Sequence, residues 1–222
     1  MTLYLKAAED GTSAGDCPFA HFVRMVLEEK GQNCVLKPST EETKPKWLKE
    51  HYGGKMPALQ HKKKCYVESS VIAEYLDRTF QDPRLKGKAE EVQATETVLD
   101  GIFPAIAKYM KHTPDGDEED LKLKAGLEEK LGKLESHLAS VKRKGPFLVG
   151  DGTSVSLVDC SLVPKLYHME TGIDSLKQKS IDLEQQFPMV RSYMDTMFAR
   201  PSFQKTVYSR ETVLWGWGNA RA

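Results

Sequence analysis

The chain lacks the features that would place it in several large classes. No apolar run among its 222 residues approaches the roughly 18 that a membrane-spanning helix needs. The nearest stretch, 23–36, carries Arg24, Glu28, Glu29 and Lys30, and each charge costs about 2.5–3.5 kcal/mol at membrane depth. Cysteine is scarce. The four residues, at 17, 34, 65 and 160, have neither metal-ligand spacing nor disulfide-framework density, so four thiols in a reducing compartment and no metal site are expected. Lys plus Arg and Asp plus Glu both number 32, and a formal net charge of zero argues against nucleic acid as the main partner. The sequence contains no internal repeat and no low-complexity tract. The start, Met1-Thr2-Leu3-Tyr4-Leu5-Lys6, lacks the basic region, apolar core and small-residue cleavage site of a secretory signal. A cytoplasmic location is expected, with a chloroplast or other organelle open if a transit peptide has been removed.

What is present starts with Cys17, in the run Gly15-Asp16-Cys17-Pro18-Phe19. Phe19, Phe22, Val23, Val26 and Leu27 recur at the spacing of one buried helical face, and Glu28-Glu29-Lys30-Gly31 supplies a stop. Pro18 suits the first helical position, where a missing N–H costs nothing. Cys17 is then the N-cap, its sulfur facing unpaired N–H groups and the positive end of the helix dipole, which favours thiolate over thiol. Taken alone, a free cysteine is more often a small buried hydrophobe. Ala20 stands where a Cys-x-x-Cys partner would be, so a redox cycle at Cys17 needs an external thiol.

Leu3 to Ala7 alternate as a strand, Phe19 to Lys30 read as a helix, and Cys34-Val35-Leu36 as a second strand in β-α-β order. Trp47 and Leu48 belong to a short helix or turn. Lys55-Met56-Pro57-Ala58-Leu59 places a proline ahead of a strand-like segment. Cys65-Tyr66-Val67 reads as a strand, and Glu68-Ser69-Ser70 leads into a helix with Ile72, Tyr75 and Leu76 on one face. From about Gly87 the periodicity is helical, with a stripe at Leu127, Leu131, Leu134 and Leu138. Ser156-Leu157-Val158-Asp159 has the spacing of a capping box, which makes Asp159 a folding residue rather than a catalytic one. The fold class expected is α/β plus all-α: a domain over 1–80, a linker over 81–88 and an all-helical domain over 89–222.

A small thioredoxin-like domain with a thiol at the start of its first helix, a Met56-Pro57 turn and a Glu68-Ser69 helix start, followed by helices, resembles the glutathione transferase superfamily over the whole chain. The resemblance implies that Met56 and Pro57 form a cis-Pro turn pairing with glutathione. It implies that Glu68 and Ser69 hold the γ-glutamyl group and that Lys49 meets the glycyl carboxylate. Cysteine in place of tyrosine or serine points to mixed-disulfide chemistry. The dehydroascorbate reductases, the omega-class enzymes and the soluble intracellular chloride channel proteins share a Cys-Pro-Phe start. Leu5-Lys6-Ala7-Ala8, Gly15-Asp16-Cys17-Pro18-Phe19, Pro164-Lys165-Leu166-Tyr167-His168, Ser202-Phe203-Gln204-Lys205-Thr206 and Gly216-Trp217 are similar to plant and algal dehydroascorbate reductases. Two departures are Ala20-His21-Phe22 for the usual Ser-Gln-Arg and Glu68 for the usual aspartate. The resemblance implies a monomeric enzyme with Cys17, Lys6 and Asp16 as catalytic residues, and Phe19, His168 and Trp217 lining the substrate side. Glutathione and dehydroascorbate are its expected partners, glutathione as co-substrate, with no permanently bound cofactor, no nucleic acid and no membrane.

Overall fold

The computed structural model describes residues 1–140 and 144–221. In chain order the elements are β1 (Thr2–Lys6), α1 (Pro18–Glu29), β2 (Val35–Ser39), α2 (Lys46–Tyr52), β3 (Ala58–His61), β4 (Lys64–Val67) and α3 (Ser69–Thr79). They are followed by α4 (Ala89–Leu99), α5 (Ile102–Lys111), α6 (Glu118–Leu138), α7 (Leu157–Ser175), α8 (Leu183–Gln186), α9 (Pro188–Phe198), α10 (Pro201–Gln204) and α11 (Arg210–Arg221). Two compact units divide the chain: Met1–Lys86 with Pro201–Gly216, and Gly87–Arg200 with Trp217–Ala222.

The first unit is built on a sheet of order β2-β1-β3-β4, with β1 parallel to β2 and antiparallel to β3, and β3 antiparallel to β4. This is the thioredoxin-like arrangement expected from the β-α-β then β-β-α pattern. Alternation in β1 sends Leu3 and Leu5 into the core and leaves Lys6 on the opposite face. Pro38 is tolerated within β2 because that strand lies at the sheet edge. Helix α1 begins at Pro18, buries Phe22, Val23, Val26 and Leu27, and ends where Gly31 turns to a φ of 60°. Helices α3 and α10 both pack against α1.

The end of α1 is tied to α3 by a buried ion pair. Lys30 Nζ lies 2.5 Å from Asp77 Oδ1, their side chains 0% and 5% exposed, and also donates to the carbonyl of Pro83. The same carboxylate oxygen accepts the Leu85 N–H at 2.7 Å. Residues expected as a linker, 81–88, therefore supply Pro83 and Leu85 to the first unit. The expected division also put 201–222 wholly with the helices, whereas Pro201–Gly216 groups with the first unit. Ser202 Oγ donates to Glu29 Oε1 at 2.6 Å and Lys205 Nζ to Glu28 Oε2 at 3.2 Å, so the segment is fastened to α1.

The second unit is helical. The α6 stripe of Leu127, Leu131, Leu134 and Leu138 is buried, and α7 is buried on nearly every face. A capping box starts α7: Ser156 N–H donates to Asp159 Oδ2 at 2.8 Å, and Asp159 N–H to Ser156 Oγ at 3.4 Å. Asp159 Oδ1 also accepts from Leu148 N–H at 2.9 Å and Tyr193 O–H at 3.2 Å, which accounts for its burial without catalysis.

Removing one partner of a buried pair leaves the other uncompensated, so Asp77→Ala is expected to lower stability by about 3–5 kcal/mol in urea unfolding. Replacing both partners, Lys30→Met with Asp77→Leu, should recover only part of that loss, because the Leu85 N–H and the Pro83 carbonyl then lose their partners. A single variant as stable as wild type would contradict the role assigned to this pair.

Candidate active site

The sheet register gathers most of the candidate residues at one end. Tyr4 lies opposite Ala58, so continuing the antiparallel pairing sets Lys6, the last residue of β1, at the level of Met56. Ala58 lies opposite Val67, which puts Pro57 and Glu68 at the open end of the β3–β4 hairpin. Ser39 lies beside Lys6 in the parallel pair, and the chain continues to Glu41, whose carbonyl accepts from Lys49 Nζ at 2.5 Å.

Around Cys17 the geometry is tight. After β1 the chain doubles back, with Ala7 bridging Ala14 and the Gly15 N–H donating to the Lys6 carbonyl at 2.8 Å. A Cβ on Gly15 would fall 2.4 Å from the Ala7 carbonyl oxygen, so only glycine fits this approach. Asp16 follows, with Oδ1 2.7 Å from Lys6 Nζ. That contact is an ion pair, with the carboxylate more enclosed than the ammonium. Lys6 Nζ also lies 5.2 Å from the centroid of the Trp215 ring. Gly216 lies against the Asp16 carboxylate: a Cβ there would be 1.9 Å from Asp16 Oδ2. Phe19, next to the turn, is 39% exposed.

Cys17 caps α1 with φ −73° and ψ 113°, and Pro18 occupies the first turn. No hydrogen bond of normal geometry joins the helix to the sulfur. Cys17 is partly exposed as a residue, yet burial around its thiol is the largest influence and pushes its pKa up. The N–H groups of Ala20 and Phe19 pull it down, Asp16 pushes it up, and Lys6 pulls it down by less than Asp16 pushes. The N-cap position alone leads to an expected thiolate; in the ligand-free protein the balance instead favours the neutral thiol, because desolvation outweighs the helix start.

Met56-Pro57 is a cis peptide and Pro57 is buried. Glu68 adopts a φ of 68°, in the left-handed region that costs a non-glycine residue about 1–3 kcal/mol. Its carboxylate pairs with Lys55 Nζ at 2.7 Å, both side chains more than half exposed. No side chain caps α3, which begins at Ser69, so its first N–H groups are available to an anion. His168 and Trp217 lie in the second unit, 3% and 6% exposed, where Trp217 Nε1 donates to the His168 carbonyl at 3.3 Å.

Trp215 and Tyr208 escaped the functional reading of the sequence, although the Trp215-Gly216-Trp217 run carried a signal: two tryptophans flanking a glycine, here in the middle of α11.

The fold and this site define a class. The family model described as Glutathione S-transferase, N-terminal domain, matches residues 12–84, and that described as Glutathione S-transferase, C-terminal domain, matches residues 89–196. The chain belongs to the glutathione S-transferase family. Within it, the chain is 32% identical to "Glutathione S-transferase DHAR3, chloroplastic" of Arabidopsis thaliana, over 91% of this chain and 73% of that protein. The crystal structure of Chlamydomonas reinhardtii dehydroascorbate reductase superposes with a TM-score of 0.78 at 28% identity, covering 99% of this chain and 97% of that one. Human Chloride intracellular channel protein 3 is 28% identical over 93% of this chain and 90% of its own length.

Removing the Asp16 charge should lower the Cys17 pKa, so Asp16→Asn is expected to speed alkylation by iodoacetamide near neutral pH. Lys6→Met removes the opposing charge and leaves Asp16 uncompensated, so it should slow alkylation. Wild type should show an inflection above the ordinary cysteine value of about 8.5. The measurement is the site-resolved alkylation rate against pH; an inflection below that value, or no opposition between the variants, would contradict this electrostatic order.

Proposed function

We propose that this protein reduces dehydroascorbate to ascorbate with two glutathione molecules, through Cys17. The observation that carries the reading is Cys17 at the start of α1 beside the Lys6–Asp16 pair, at the sheet end that also holds Met56-Pro57 and Glu68-Ser69. Membership of the glutathione S-transferase family and the names of its relatives support the co-substrate and the oxidant.

In the first step the Cys17 sulfur adds to a carbonyl carbon of dehydroascorbate, and the thiol proton ends on the carbonyl oxygen. A neutral resting thiol therefore suffices. The oxygen charge that develops is met by the Lys6 ammonium, and the Asp16 carboxylate paired with it accepts from a substrate hydroxyl. A glutathione thiolate then attacks sulfur. The C–S bond breaks with its electron pair on carbon, ascorbate leaves after protonation, and Cys17 remains as a mixed disulfide with glutathione. A second glutathione thiolate attacks the glutathione sulfur of that disulfide, releasing oxidised glutathione and the Cys17 thiol. Two glutathiones lose two electrons, and dehydroascorbate gains two electrons and two protons.

Glutathione is held by the open end of the β3–β4 hairpin and the start of α3. The uncapped N–H groups at Ser69 suit the γ-glutamyl carboxylate, Glu68 suits its ammonium, and Lys49 suits the glycyl carboxylate. Phe19, exposed beside the Cys17 turn, is proposed for the substrate side, whereas His168 and Trp217 are buried within the second unit. For the chloride channel reading, no helix among the described residues is long and apolar enough to cross a membrane.

Glutathione-dependent ascorbate formation, followed by absorbance, is the test. Cys17→Ser is expected to abolish turnover, and replacing Cys34, Cys65 and Cys160 together should preserve most of it. Ser69→Ala should raise the KM for glutathione more than that for dehydroascorbate. A wild-type protein that reduces a glutathionylated peptide but not dehydroascorbate would replace this reading with a thioltransferase one.

A further inference from the structure

Behind the thiol, α1 and the segment 201–216 build a cluster that the proposed reaction leaves without a role. Tyr208 is 4% exposed, and its hydroxyl donates to the Cys17 carbonyl at 3.3 Å. The same carbonyl accepts the His21 N–H at 3.0 Å, the first bond of α1. The Arg24 guanidinium lies 5.2 Å from the centroid of the Tyr208 ring, and its Nη1 is buried without a hydrogen-bond partner. His21, fully buried, has its ring 5.1 Å from Tyr208 and 5.2 Å from Phe203.

A cysteine at an N-cap meets the helix N–H groups only while its own backbone holds the cap conformation. Here one carbonyl receives two donors, one from α1 and one from a residue 191 positions away, and together they fix the plane of the Cys17-Pro18 peptide. Burial pushes the Tyr208 hydroxyl well above its ordinary pKa, so it stays protonated and remains a donor across the working range. A cation over the ring face draws electron density toward itself and makes the hydroxyl a better donor. Arg24, which also acts on the Tyr208 hydroxyl directly and pulls its pKa down against burial, is placed for that role. Serving only to fill space, the cluster would need neither the hydroxyl nor the guanidinium.

We propose that Tyr208, backed by Arg24, is a positioning residue that locks the Cys17-Pro18 peptide and so sets the reactivity of the Cys17 thiol. This rests on the reading of Cys17 as the reacting sulfur.

The test is site-resolved alkylation by iodoacetamide, read by peptide mass spectrometry across a pH series, beside ascorbate formation. Tyr208→Phe keeps the ring and removes the hydroxyl. It is expected to slow Cys17 alkylation at neutral pH by about three- to tenfold, the rate equivalent of one hydrogen bond, and to move the inflection upward. Alkylation of Cys34 and Cys65 should stay at wild-type rates. Arg24→Gln should shift the Cys17 profile in the same direction by less. A wild-type Cys17 profile in folded Tyr208→Phe overturns the proposal; if that variant does not fold, a wild-type profile in Arg24→Gln does so. Turnover retained by Cys17→Ser would overturn the reading beneath it, whereas a dead Cys17→Ser with an unshifted Tyr208→Phe would remove only the positioning role.

Discussion

The turn at Cys17-Pro18 is the constraint on which the candidate site depends. Proline fixes one dihedral at the start of α1, Gly15 lets the preceding loop lie against the end of β1, and the Cys17 carbonyl is held by α1 and by Tyr208. These contacts hold the backbone that carries the sulfur at the helix start, beside the Lys6–Asp16 pair. The buried Lys30–Asp77 pair acts at the other end of the same helix, joining α1 to α3, whose first residues are the proposed γ-glutamyl site. Helix α1 therefore links the thiol to the element that begins the proposed glutathione site.

Two opposed electrostatic effects meet at the sulfur. A helix start favours the anion, but a thiol withdrawn from water disfavours it, and burial is the larger effect here. The Lys6–Asp16 pair does not tip the balance, since the carboxylate acts on the thiol more strongly than the ammonium. A neutral resting thiol is compatible with addition to a carbonyl, where proton and sulfur are delivered to the two ends of one bond. It is also less open to adventitious oxidation than a standing thiolate.

Local features of the sequence carried much of the fold. The Pro18 start of α1, the capping box at Ser156 and Asp159, and the leucine stripe of α6 each follow from spacing within a single element. The order β-α-β then β-β-α likewise led to the four-stranded sheet. Contacts between distant parts of the chain were not legible. Nothing in the local pattern around Tyr208 and Trp215 reports that they return to Cys17 and Lys6. Lys30 read as part of a helix stop because the partner that makes its burial affordable, Asp77, lies 47 residues away. The direction of the Cys17 shift depended on how densely the thiol is enclosed, which no N-cap pattern reports.

The most direct measurement is the mass of the Cys17 peptide after the protein is mixed with dehydroascorbate and a single equivalent of glutathione, then quenched in acid. One glutathionyl adduct on Cys17, appearing with ascorbate and cleared by a further equivalent of glutathione, is the result expected. Ascorbate formed at the catalysed rate with no adduct on Cys17, or with the adduct on Cys34, Cys65 or Cys160 instead, would contradict the central claim.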